Sequence, residues 1–217
     1  MSLSRPLVSA PVPSIFADEY WSAFRKDVFW LLWMGYSRLE HSRLISAEEE
    51  EITGELARCL CELLDEPSSP DWFYHYSVHE EPRIHNPEKS GKRRHRLDIR
   101  FEHTQSRPRK HYEFEAKRLC KSKAEVGSYL GKEGLGMFLS GKYARHWNEA
   151  GMLGYLQSND PTHWAGKLAK RLSSDVIEPW MPEIIIDKLP TFRTCHSRPE
   201  DLPPIRIFHI FLNFTSP

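Results

Sequence analysis

Between Leu97 and Leu119 the chain reads LDIRFEHTQSRPRKHYEFEAKRL, two short runs in which apolar and charged residues alternate. Successive side chains of an extended chain point to opposite faces, so this period suits a half-buried strand and not a helix. Leu97, Ile99 and Phe101 enter a core from the first run, while Asp98, Arg100 and Glu102 share its other face. In the second run Tyr112, Phe114 and Ala116 point inward, opposite Glu113, Glu115 and Lys117. The connection from His103 to Lys110 is polar and carries Ser106 and Pro108, which suits a surface loop that folds the second strand back beside the first. The predicted product is a hairpin with one charged face.

An Asp on one strand facing Glu-x-Lys on the next brings two carboxylates toward one point, and such hard oxygen ligands suit Mg²⁺. A metal there polarises a phosphoryl oxygen and acidifies water, and an ammonium two residues on holds that water or balances developing charge. Asp98, Glu115 and Lys117 fill those positions. The arrangement resembles the PD-(D/E)XK nuclease superfamily, the restriction-endonuclease-like fold. Asp98 matches its metal-binding acid and Glu115-Ala116-Lys117 its (D/E)-x-K, with Leu97 in place of the Pro. The resemblance implies that Asp98, Glu115 and the Ala116 carbonyl hold Mg²⁺ or Mn²⁺ and that Lys117 positions the hydrolytic water. It also implies a further Glu on the helix before the sheet. Glu49 is the first choice, with Glu48 and Glu55 as alternatives.

Charge is distributed to match. Lys89 to Lys123 holds thirteen Lys or Arg against four acids, a net of +9, and Glu40 to Glu66 holds nine acids against two Arg, a net of −7. The whole chain is neutral, which excludes a uniformly basic coat. Basic residues around an acidic centre suit a phosphate-backbone groove with metal inside it. Lys92, Arg93, Arg94, Arg96 and Arg100 are the expected nucleic-acid contacts.

At 217 residues the chain is long enough for one well-cored domain. Its longest apolar run, Val28 to Met34, is only seven residues, far short of the roughly 18 that span a membrane. MSLSRPLVSAPVPS lacks the charged start and apolar stretch of a secretory signal, so a cytoplasmic location is expected. Cys59, Cys61, Cys120 and Cys195 show no C-x-x-C pair and read as reduced packing residues. His75 and His79 lack the Cys/His spacings of a zinc site.

Residues 1–45 read as an arm followed by a packing helix, Ala17 to Glu40, with Trp21, Phe24, Val28, Leu31, Leu32 and Tyr36 at helical spacing. Ser46-x-x-Glu49 reads as a capping box opening a helix that runs through Leu64. A strand over Trp72 to Val78, the two hairpin strands, a helix over Ala124 to Leu130, a helix near Tyr143 to Ala150, an apolar run Met152 to Leu156 and a helix from Pro161 to Leu172 follow. The glycines of GKEGLG lack the Gly-Lys-Ser/Thr of a phosphate-binding loop. Residues 174–217 form a β-rich extension of the same domain, with runs Glu183 to Cys195 and Ile205 to Phe214 either lengthening the sheet or forming an accessory hairpin.

The predicted fold is therefore α/β, a mixed central sheet flanked by helices. Its order over residues 46–173 matches the αβββαβ core of the restriction-endonuclease-like fold. The expected function is metal-dependent hydrolysis of nucleic-acid phosphodiester bonds, DNA before RNA. EGLGMFLSGKYARHWNEAGMLGYLQ, with FEAKRL before it, is also similar to superfamily members associated with bacterial defence and mobile elements. His196, Arg198 and His209 fall in stretches typical of that subset, with no derived role. A protein partner for targeting and a two-fold dimer follow by analogy of fold. Two rivals are a catalytically inactive binding or regulatory subunit on the same scaffold, and an interaction protein whose charged hairpin is plain surface. The last requires Asp98, Glu115 and Lys117 to lie apart.

Overall fold

The computed structural model describes residues 14–84, 95–121, 123–172 and 176–215. The alternating runs form β2 (Ile99–His103) and β3 (His111–Leu119), paired antiparallel with Ile99 opposite Phe114 and Phe101 opposite Tyr112. β1 (Tyr76–Glu80) adds antiparallel to the outer side of β2. On the inner side β3 runs parallel to β4 (Glu149–Leu156), and β4 parallel to β7 (Ile205–Asn213). β6 (Thr191–His196) and β5 (Val176–Pro182) follow antiparallel, so one mixed seven-stranded sheet has the order β1-β2-β3-β4-β7-β6-β5. The C-terminal strands extend the main sheet.

Helices α1 (Ser14–Ser37) and α3 (Glu49–Asp65), joined through the short α2 (His41–Leu44), cover one face. Their Phe24, Phe29, Leu56 and Leu60 pack with Phe101, Phe114 and Phe208 of the sheet. α4 (Lys123–Leu130), α5 (Leu135–Leu139) and α6 (Pro161–Ala169) cover the other face, where Tyr129, Phe138 and Trp164 meet Met152, Leu156 and Phe211. Covered from both sides, β4 has all eight residues buried, as a central parallel strand requires. No described helix is long and apolar enough to cross a membrane.

Three local readings change. Asp71–His75 is a 3-10 turn, so the first strand begins only at Tyr76. The helix expected near Tyr143 to Ala150 is instead a series of turns that ends in β4. In β4 a Cβ on Gly151 would lie 2.1 Å from a ring carbon of Phe114, so only glycine lets the β3 ring lie against the β4 backbone. Cys61 is exposed and packs nothing, although all four cysteines are free thiols.

Buried charge is paired. Arg25 of α1 donates twice to Glu149 at 2.7 and 2.8 Å and Arg206 adds a third bond at 3.0 Å, which ties the helix to the sheet. On the opposite face a buried polar row crosses from α4 to β6. Tyr129 Oη meets His209 Nδ1 at 3.1 Å, and Thr194 Oγ1 lies 2.9 Å from His209 Nε2 and 2.7 Å from His196 Nε2. Burial pushes His196 down to about 4 and His209 well below the ordinary histidine range. Both therefore fold as neutral rings, and their contribution to stability is intact above the unfolded value near 6.5 and is lost as pH falls. The expected result is a loss of about 3 kcal/mol from His196 alone between pH 6.5 and 4. Denaturant unfolding across that range measures it, and His196→Gln should flatten the slope.

Candidate active site

The antiparallel ladder of β2 and β3 ends at the pair Ile99 and Phe114. One further step of the same register sets Asp98 level with Glu115, while β3 continues to Leu119 with support only from β4. Along that unpaired edge, side-chain carboxylates replace the missing strand. Ala116 N donates to Asp98 Oδ2 at 2.6 Å, and Arg118 N donates to Glu49 Oε2 at 3.0 Å. The N–H and C=O of one strand residue point to the same side, so the Ala116 carbonyl faces the cleft between Asp98 and Glu49.

Glu49 arrives from α3, and not as part of a capping box. The helix starts at Glu49 itself, with Glu48 as its N-cap and no side-chain cap bond, so Ser46 lies outside it. The other two candidates are elsewhere: Glu55 pairs with Arg58 on the helix surface, and the exposed Glu48 pairs with Arg118 at 2.7 Å. Lys117 Nζ then donates to Glu49 Oε1 at 2.8 Å and to Glu115 Oε1 at 2.9 Å. Asp98, Glu115, Lys117 and Glu49 are thus brought together, from the ends of two strands and the first turn of a helix.

The electrostatics of this group are unbalanced. Glu115 Oε2 is buried and makes no hydrogen bond, and the carboxyl beside it, Asp98, is also an acceptor when ionised. Burial raises Asp98 to about 6, against the lowering effect of Lys117 and the Ala116 N–H. Burial and then the Asp98 charge raise Glu115 to about 8. Burial opposes the charge on Lys117, but Glu115, Glu49 and Asp98 outweigh it and its ammonium is held above the ordinary lysine range. One cation faces three carboxylates. Two acceptors set against each other call for a proton or a metal ion between them.

Those donors fit Mg²⁺. Among the described residues no group of three or more His, Cys, Asp or Glu is placed to hold a metal. Mg²⁺, however, takes one or two carboxylates and completes its shell with water and substrate oxygens. Asp98, Glu115 and the Ala116 carbonyl provide that set. In the metal-free protein the raised carboxyls contribute stability below their unfolded values near 4, and it is lost as pH rises through about 6 and about 8. Stability in a chelator should therefore fall between about pH 4 and 8, and millimolar Mn²⁺ should remove that fall. Unfolding midpoints with and without metal check it.

The expected phosphate contacts are divided. Lys92, Arg93 and Arg94 lie outside the described residues. Arg96 pairs with Glu81 beside the cleft, both half exposed. Arg100, on the same face as Asp98, is largely buried in a 2.7 Å pair with Glu113, whose second oxygen accepts from Ala144 N at 2.7 Å. The roles of two supporting residues escaped the sequence reading. Tyr143 donates its hydroxyl to the Arg96 carbonyl and so fixes the approach to Asp98. Arg198 donates to the Ala144, Trp147 and Pro203 carbonyls and secures the loop that carries Tyr143. Neither carries a sequence pattern, since each acts across a gap of about fifty positions. No family model, curated protein or solved structure matches the chain, so the site is read from its own geometry.

Proposed function

We propose that this protein is a Mg²⁺-dependent nuclease of the PD-(D/E)XK type, with DNA as its first expected substrate. The observation that carries the reading is the convergence along β3: the buried Glu115 beside the partly buried Asp98, an inward backbone carbonyl, and a lysine fixed between acids. The element order supports it. α3, β1, β2, β3, α4 and β4 follow the expected αβββαβ succession, interrupted by the 3-10 turn Asp71–His75 and the five-residue α5, with Asp98 immediately before the second strand and Glu115 on the third.

A bound Mg²⁺ would supply Lewis acidity toward a phosphoryl oxygen and lower the pKa of water. Asp98, Glu115 and Ala116 O would hold it, with Glu49 assisting. Lys117 would release one acid on binding and orient the attacking water or meet charge on the phosphate. Glu49 accepts from Lys117, so it steers the ammonium and can take a proton from the water. Arg96 lies at the rim, where a phosphate can compete with Glu81 for its guanidinium.

The test is incubation with supercoiled, linear and single-stranded DNA, and with RNA, in Mg²⁺, Mn²⁺ or chelator. Cleavage that needs the metal is expected. Tight nucleic-acid binding with no cleavage in either metal would replace this reading with that of a regulatory subunit.

A further inference from the structure

We infer that Gln157 is a positioning residue for this site: its carboxamide fixes the start of α3, and through it the Glu49 carboxylate, against the end of β3. The inference rests on the reading of Asp98 and Glu115 as metal ligands that Glu49 assists.

Gln157 follows β4 directly and uses every polar group of its side chain. Nε2 donates to the Leu44 carbonyl at 2.9 Å and to the Ala47 carbonyl at 2.8 Å. Oε1 accepts from the Cys120 thiol at 2.9 Å, and the backbone N donates to the Leu119 carbonyl at 3.1 Å. One residue therefore joins the end of β3, the end of β4 and the segment leading into α3. That segment needs outside support, because α3 has no side-chain cap of its own. Arg118 holds the same segment through the Ala47 carbonyl at 3.2 Å, Glu48 at 2.7 Å and its own N–H to Glu49 Oε2 at 3.0 Å, and Lys117 adds its bond to Glu49 Oε1 at 2.8 Å.

Ala47 precedes Glu49 by two residues, so where its carbonyl is held decides where the first helical turn begins. Removing the carboxamide frees two carbonyls at once and leaves the turn held from β3 only through Arg118 and Lys117. The Glu49 carboxylate is then held less firmly against Lys117 and the Arg118 N–H. Asp98 and Glu115 are untouched, since the β2–β3 register and Tyr143 hold them independently.

Mn²⁺ titration followed by the electron paramagnetic resonance of free Mn²⁺ tests this on four full-length proteins: wild type, Gln157→Leu, Glu49→Gln and the double variant. Gln157→Leu should weaken Mn²⁺ binding about tenfold, the scale on which supporting contacts to metal ligands act. Added to Glu49→Gln it should cost less than twofold more, because its effect passes through Glu49. Gln157→Met carries the same expectation should the leucine variant fail to fold. Wild-type affinity in the single variant overturns the inference alone, as does a full tenfold loss persisting in the Glu49→Gln background. A wild type that binds no Mn²⁺ overturns the metal-site reading and this inference with it.

Discussion

Asp98→Asn is expected to lower metal-dependent cleavage by about 10³-fold or more, the scale on which a single preorganised electrostatic group acts, and to leave the fold as stable as before or more so. The two halves have one cause. Asparagine keeps the shape of the side chain and an oxygen that accepts from Ala116 N, now at 2.6 Å, so the end of β2 stays where it is. It removes the charge that helps to raise Glu115, and Glu115 can ionise at lower pH beside Lys117. On the proposed reading a metal ligand is lost while a repulsion between the two carboxylates is relieved, the usual signature of a functional site that costs stability. Cleavage rate and unfolding midpoint, measured on the same preparation at pH 8 in Mg²⁺ and in chelator, decide the matter. Activity that survives, or a midpoint that collapses in parallel with activity, would sink the assignment of Asp98 as a ligand.

The charged face of the hairpin was legible because a period of two leaves no freedom: once Phe114 and Ala116 are inside, Glu115 and Lys117 must lie together on the other side. The α/β class and the element order were legible for similar local reasons. Glu49 was legible only as one acid among several. Its role depends on where α3 begins, and that is set by Gln157 and Arg118 from across the sheet. Met152 to Leu156 of β4 was legible as an apolar run, but its start at Glu149 was hidden because ARHWNEAG reads as helical locally. Arg100 shows the reverse limit. Its position on the active face was readable, but its buried pairing with Glu113 and the Ala144 N–H beyond it was not.

Lys117→Met separates charge balance from catalysis. The ammonium is the one cation among Asp98, Glu115 and Glu49, and its side chain is only 11% exposed. Without it the metal-free protein must bury carboxylates that have no counter-charge. At pH 9, where both Asp98 and Glu115 would otherwise be ionised, the expected loss is about 3–5 kcal/mol, as for removing one partner of a buried ion pair. Near pH 5 the two raised carboxyls hold protons and the loss should shrink. Mn²⁺ should restore the rest, because it takes over the neutralising role. The same geometry predicts the direction of metal affinity. Lys117 Nζ occupies Glu115 Oε1 and Glu49 Oε1, oxygens that metal binding would draw on, so the ammonium competes with the metal. Lys117→Met should therefore bind Mn²⁺ more tightly than wild type while cleaving at least about 10²-fold more slowly. Weaker binding in the variant would mean that the ammonium organises the carboxylates for the metal, and the competition argument would fall.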